Sequence, residues 1–160
     1  MNGKRTVQTI APLMGKDLRL DYALHGGFFE DADLASIRVA ERAGARDLDV
    51  TAGLDTLTQA LANRLKTRKG ELATLGHPGY GSRHHELIGQ PNVQRTRDLI
   101  KLYVLQALRD EPRIDKVITA TVTAEHEPPR DTVRIELSLQ VIGAPVPLNL
   151  VVPFSLGFAL

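Results

Sequence analysis

Thr132-Val133-Arg134-Ile135-Glu136-Leu137-Ser138-Leu139-Gln140-Val141-Ile142 is the stretch that decides the fold. Val133, Ile135, Leu137, Leu139 and Val141 alternate with Arg134, Glu136, Ser138 and Gln140, the period of a strand with one buried and one wet face. Upstream, residues 116–124 are rich in Val, Ile and Thr and predict a second long strand, with Glu127-Pro128-Pro129-Arg130-Asp131 as the hairpin loop. Downstream of Gly143-Ala144-Pro145 the alternation continues through Val146, Leu148, Leu150, Val152 and Phe154. Pro145, Pro147 and Pro153 cannot donate to a ladder, which assigns residues 146–154 to a sheet edge.

Ahead of this sheet the period changes. Leu54, Leu57, Leu61 and Leu65 recur at spacings of three and four and line one face of a helix over residues 51–68. Thr51 suits its N-cap, and Lys66, Arg68 and Lys69 suit the negative end of its dipole. A second helix over 92–110 carries Leu99, Ile100, Tyr103, Val104, Ala107 and Leu108 on its apolar side and must stop before Pro112. Glycines and prolines between the helices predict a structured loop with one helical turn at 84–87. The fold class is therefore α+β: an antiparallel sheet with a long C-terminal hairpin and an edge strand, packed against two main helices.

The front third is less regular. Leu18, Leu20 and Tyr22 alternate with Arg19 and Asp21 as a short strand, broken at Gly26-Gly27. Ile37 and Val39, then Leu48 and Val50, suggest a hairpin, with a helix over 33–42 as the rival reading. Residues 1–14 are polar and basic and read as an arm that orders against a partner, leaving 15–160 as a single domain without convincing internal repeats.

Composition narrows the function classes. At 160 residues roughly 70% of the unfolded surface can be buried, enough for one real core. Twenty Lys and Arg against nineteen Asp and Glu give a formal charge of +1, so no long-range field draws in nucleic acid or an anionic membrane. The absence of cysteine excludes disulfides and thiolate chemistry and suits a reducing cytoplasm. Residues 1–15 contain no apolar core of signal-peptide length, and residues 146–160 are too short and too interrupted by proline to span a membrane.

Candidate sites each have a bland rival. Glu111-Pro112-Arg113 reads as a helix stop with two solvated charges or as an electrostatic device, with proline fixing the backbone between opposite charges and Arg113 offering a planar fork. Glu71, Glu86 and Glu111 could supply the carboxylate pair of a lysozyme, but the chain has no Trp, three Tyr and four Phe, too few aromatics for a sugar cleft. His84-His85-Glu86, with His77 upstream, lacks the four-residue spacing of helical zinc ligands, so a solvated or capping role is preferred and no metal is expected. Gly76, Gly79 and Gly81 match neither phosphate-loop spacing and read as tight turns, and no cofactor is expected. The basic run at 66–69 lacks interleaved aromatics and fits a helix C-terminus. The row from Val146 to Phe154, followed by Leu156, Phe158 and Leu160, would leave a sticky edge that calls for a partner or for packing back on the helices.

Several motifs also carry a resemblance. Arg64-Leu65-Lys66-Thr67, Gly70-Glu71-Leu72, Gly79-Tyr80-Gly81-Ser82-Arg83, Leu87-Ile88-Gly89, Pro91-Asn92, Glu111-Pro112-Arg113 and Val152-Pro153-Phe154 occur in the order found in a known family. Over residues 47–154 the chain resembles the baseplate wedge or sheath initiator family of contractile phage tails and related injection machines, often labelled "lysozyme-like". The resemblance implies a structural, non-enzymatic part in several copies around the tail tube of a virion baseplate, assembled in the host cytoplasm. Implied partners are baseplate wedge proteins at Glu111, Pro112 and Arg113 and tail sheath protein at an edge formed by Val146, Leu148, Leu150, Val152 and Phe154. Tyr80, Gly81 and Ser82 form the structured loop of this reading; nucleic acid and membrane are not expected partners. The alternatives are a peptidoglycan hydrolase and a generic protein-binding module. Residues 1–46 match loosely beyond Gly15-Lys16-Asp17, and His84 stands where an aliphatic residue is expected.

Overall fold

A computed structural model describes residues 14–25, 29–40, 44–126 and 130–157. All of the expected N-terminal arm except Met14, and residues 127–129 of the hairpin loop, lie outside these. The chain divides into two compact units, residues 1–59 and 60–160.

In the first unit six short strands pair as three antiparallel ladders: β1 (Lys16–Leu18) with β6 (Val50–Ala52), β2 (Leu20–His25) with β3 (Phe29–Leu34), and β4 (Ser36–Arg38) with β5 (Arg46–Leu48). The ladders meet in a closed ring of main-chain bonds: Arg19 N–H donates to Asp49 O at 2.9 Å, Asp49 N–H to Ala35 O at 2.9 Å, and Ala35 N–H to Arg19 O at 2.8 Å. Just before each ring residue stands an Asp-Leu pair, at Asp17-Leu18, Asp33-Leu34 and Asp47-Leu48, in which the leucine N–H donates to the aspartate Oδ1 at 2.8, 2.7 and 2.8 Å. The expectation of no internal repeat is therefore corrected: this unit is threefold in pattern, and its sequence signal is the recurring Asp-Leu dipeptide. The hairpin reading of the Ile37 and Leu48 segments holds, and the described part of the rival helix, residues 33–40, contains the end of β3 and all of β4 instead.

The helix α1 (Leu54–Lys66) follows. Thr51 is not its N-cap, because it is a buried residue of β6 paired with Asp17. The chain turns into the helix through Gly53 at φ +67, a backbone region that glycine enters without the Cβ penalty. Gln59 on α1 is buried and uses its amide both ways, accepting from Leu20 N–H at 2.9 Å and donating to Leu18 O at 2.8 Å.

The second unit is the α+β core expected from the sequence. Two 3₁₀ turns, Ala73–Leu75 and Arg83–Leu87, interrupt the loop between α1 and α2 (Gln94–Arg109). Then β7 (Ile114–Ala124), β8 (Thr132–Val141) and β9 (Leu148–Ser155) form an antiparallel sheet in that spatial order, so β9 is an edge strand. Val133, Ile135, Leu137, Leu139 and Val141 of β8 are all at most 3% exposed, each contributing about 1.5–3 kcal/mol of burial. Leu61, Leu65, Ile100, Val104, Ala107 and Leu108 of the helices are buried in the same unit. β7 forms the other edge of the sheet, has no buried residue, and carries two register irregularities, at Ile114/Lys116 and Val117/Thr119.

Candidate functional site: a charged corner and an open strand edge

Three sequence motifs that are far apart in the chain meet at one corner of the second unit. Pro112 fixes a turn between α2 and β7, closed by Ile114 N–H donating to Glu111 O at 3.1 Å. The turn folds Glu111 back under Arg113: Arg113 Nε donates to Oε1 at 2.6 Å, Nη2 to Oε2 at 2.9 Å, and its backbone N–H to Oε1 at 3.3 Å. The Glu111 side chain is only 5% exposed. Burial opposes its charge, yet the hydrogen bonds from Arg113 and the nearby Arg64 outweigh that and hold the carboxyl below its usual range. Arg113 O also accepts from Ile142 N–H at 3.0 Å, tying the turn to the sheet.

The second component is Arg64, near the end of α1. Its Nη2 lies 3.9 Å from Glu111 Oε2, and its guanidinium covers the Tyr80 ring at 4.8 Å from the centroid. Tyr80 is carried there by the third component, a loop clamped to the end of α1. Ser82 N–H donates to Thr67 O at 2.9 Å, Lys69 N–H to Ser82 O at 3.1 Å, and Gly70 N–H to Tyr80 O at 3.3 Å. Gly81 sits at φ +93, and a Cβ there would lie 2.5 Å from Arg68 O, so the close approach of loop and helix requires glycine. Burial raises the Tyr80 phenol pKa. An open pocket of about 350 Å³ is lined by Arg64, Tyr80, His77, Asp110 and the Gly76, Pro78 and Gly79 backbone.

Of the two readings of Glu111-Pro112-Arg113, the helix stop with two solvated charges does not hold, because Glu111 is buried and occupies the fork of Arg113. Arg64 was singled out in the sequence only as part of a motif, since nothing in its spacing announces a partner two elements away.

The second surface is β9. Leu150, Val152 and Phe154 are 7%, 3% and 8% exposed and Leu156 is 2% exposed, so this apolar row packs into its own core. That corrects the expectation of a sticky side-chain edge. Only Val146, at 65%, is well exposed among the expected edge residues, and it precedes the strand. The open feature is the main chain. Leu156 N–H donates to Asp131 O at 2.9 Å, which sets the alternation and places Phe154, Val152 and Leu150 in the hydrogen-bonded pairs with β8. The backbone groups of Asn149, Val151, Pro153 and Ser155 consequently face away from β8, and no described strand pairs with them. Pro153 falls at an outward position, where its missing N–H costs the ladder nothing.

The histidines are a packing device. His84 is 1% exposed, stacked on His85 at 4.3 Å and edge-on to Phe154 at 4.5 Å, with Nδ1 2.8 Å from Ser82 Oγ. Burial, with a smaller contribution from His85, lowers its pKa to about 3. The solvated reading fails for His84, while the capping reading holds for its neighbour: His85 Nε2 donates at 2.8 Å to Leu65 O near the end of α1. Their rings stack although they are adjacent residues of one 3₁₀ turn, Arg83–Leu87. No cluster fit for a metal ion occurs among the described residues. Glu71 accepts from Arg68 N–H at 2.9 Å, and Glu86 is forked by Arg83 at 2.9 Å on both oxygens.

The mixed α+β unit thus combines a corner in which Arg113 engages Glu111 with an edge strand, β9, that no described strand pairs with on its outer side. The chain is a member of the baseplate wedge protein gp25 family, which matches residues 51–146, more than half of its length. Among solved structures it is similar to a Geobacter sulfurreducens protein bearing the name tail lysozyme, at 25% identity and TM-score 0.55, covering 64% of this chain and 89% of that one. It also shares its fold with a chain of the baseplate complex from the type VI secretion system, at 21% identity and TM-score 0.50, covering 64% and 92%. No curated protein matches. The chain is thus a structural component of a baseplate.

Proposed function

We propose that this protein docks on baseplate wedge subunits through the corner around Glu111, Pro112 and Arg113 and templates the first ring of tail sheath by strand addition along β9. Several copies surround the tail tube, in a virion baseplate assembled in the host cytoplasm. The observation that carries this reading is the open main-chain edge at Asn149, Val151 and Ser155. Each of these residues turns an N–H outward while the side chains of Leu150, Val152 and Phe154 anchor the strand from within. Added strands gain main-chain hydrogen bonds, and side chains at alternate positions set register. The exposed Val151 supplies one such contact at 48% exposure.

Val151→Pro tests this directly, since it removes an outward donor and leaves the β8 pairing intact. Mixed with cognate baseplate and sheath protein, the variant should fold normally and give few sheathed particles by negative-stain microscopy. Sheath growth equal to wild type would defeat the template reading. Deleting residues 143–160 is a poor alternative, because it removes Leu150, Val152, Phe154 and Leu156 from the core.

The hydrolase alternative is disfavoured by the state of its carboxylates. Glycoside cleavage needs a carboxylic acid that stays protonated, whereas Glu111 is held ionised by Arg113, and hydrogen bonds from Arg83 lower the Glu86 pKa. Peptidoglycan turnover by the pure protein that vanishes in Glu111→Gln would overturn this conclusion.

A further inference from the structure

The guanidinium of Arg64 is only 15% exposed along its side chain, yet among the described residues it donates no hydrogen bond. Its contacts are the face of Tyr80 at 4.8 Å and a distant approach to Glu111 at 3.9 Å, beyond hydrogen-bond range. Glu111 accepts from Arg113 on both oxygens, and its Oε2 meets Arg64 as an ion pair without a hydrogen bond. A planar group with five donors, largely withdrawn from water and held against a ring, is thus left facing an open pocket. The two arginines of the corner, Arg64 and Arg113, are matched by two carboxylates, Glu111 and Asp110, and of these only Glu111 is held in an arginine fork.

We propose that this pocket is a binding site for a carboxylate carried on a peptide segment of a partner chain, with Arg64 as its anchor and Tyr80 as the platform that fixes the guanidinium plane. A carboxylate matches the fork bidentately and extends the alternation of charge begun by Arg113 and Glu111. Asp110 on the pocket wall selects against a compact multivalent anion such as phosphate, whereas a peptide can offer a backbone N–H to Asp110 beside the acid that it gives to Arg64. Gly76 and Gly79 contribute backbone without side chains to that wall, beside His77 and Pro78, so a partner's main chain can approach at those two positions. This inference rests on the docking reading above and changes its chemistry. Arg113 and Glu111 build the corner, and Arg64 makes the contact.

The test is titration of the full-length protein with a blocked tripeptide bearing a central Glu, its Gln twin, and inorganic phosphate, followed by NMR of the arginine Nε–H and Tyr80 ring resonances. The Glu peptide should shift Arg64 and Tyr80 saturably, with affinity on the order of millimolar. The Gln peptide should do so at least about tenfold more weakly. Arg64→Gln should abolish the response with the melting temperature preserved, and Arg64→Lys, which keeps the charge but loses the fork, should weaken it. If the Gln variant does not fold, the Lys variant decides. No response in wild type, equal response to both peptides, a phosphate response as strong as the peptide's, or a response that survives loss of Arg64 would each overturn the site. Docking on purified cognate wedge subunits is measured separately. Docking that persists in Arg64→Gln removes the pocket from the wedge contact and leaves the wedge reading standing. Failure of the wild type to dock defeats the wedge reading, and the peptide titration still decides the pocket.

Discussion

The corner at Glu111 and the edge at β9 use their conspicuous residues in the same way and leave different things over. At the corner the charged pair is folded inward, with Glu111 at 5% exposure inside the fork of Arg113. At the edge the apolar row is folded inward, with Val152 at 3% and Phe154 at 8%. What remains without a hydrogen-bonded partner among the described residues is a less conspicuous side chain in one case, Arg64, and the outward backbone of β9 in the other. The difference has an energetic meaning. Removing one member of the corner pair strands a buried charge, whereas removing a β9 side chain opens a cavity, and neither change acts first on a partner.

The largest expected effect is at the corner. Arg113→Ala should cost about 3–5 kcal/mol, because the Glu111 carboxylate stays buried without its fork. Replacing both residues together, Glu111→Leu with Arg113→Met, should recover most of that loss, since an apolar pair of similar volume carries no desolvation penalty. Urea unfolding of the single and double variants measures both. A fully stable Arg113→Ala would show that the pair is effectively solvated and break the comparison. Next in size is Phe154→Ala, expected to cost about 3 kcal/mol through the cavity left beside His84 and His85. If that variant loses sheath attachment while keeping its unfolding midpoint, Phe154 faces a partner after all.

Much of this was legible in the sequence where a period ran long. The five alternations of β8 and the leucine stripe of α1 found their elements within a few residues, because a one-residue slip would have turned a whole apolar row to water. The motifs of the corner were also legible one by one. Their meeting was not, since it depends on Pro112 and Gly81 setting turns whose consequence is a tertiary contact. Thr51 was misread as a cap because a β-strand residue and an N-cap share extended backbone. The Asp-Leu repeat is faint in the sequence because each copy is only a dipeptide, and the ring that it precedes is made of main-chain bonds.

His84 links the edge to the loop that carries Tyr80, and it gives the pH dependence a sign. In the unfolded chain it takes up a proton near its ordinary 6.5; in the fold it resists protonation until about 3. Below 6.5 the unfolded state therefore binds more protons, and stability should fall as the pH drops through that window, at a limiting slope of about 1.4 kcal/mol per pH unit. The depressed Glu111 pKa acts in the same direction but only at more acid values, below the ordinary carboxylate 4.5. His84→Leu should consequently reduce the slope of the stability profile between pH 6.5 and 4.5, where His85, its pKa also lowered by burial, supplies the remainder, and leave the acid limb. An unchanged profile in chemical denaturation at several pH values would show that His84 titrates freely.

The smallest expected effects come from two neighbours on β9 that separate side chain from main chain. Val152 points into the core and pairs its backbone with Ile135, whereas Val151 is 48% exposed and turns its backbone to the open edge. Val152→Ala should cost about 2 kcal/mol by lost burial and incomplete collapse. Val151→Ala should stay within about 0.5 kcal/mol of wild type in stability. Because strand addition relies mainly on the main chain, Val151→Ala should also retain most sheath attachment, in contrast to Val151→Pro at the same position. If Ala abolishes attachment as fully as Pro does, the partner reads the Val151 side chain in a pocket, and the edge would work by shape more than by hydrogen-bonded pairing.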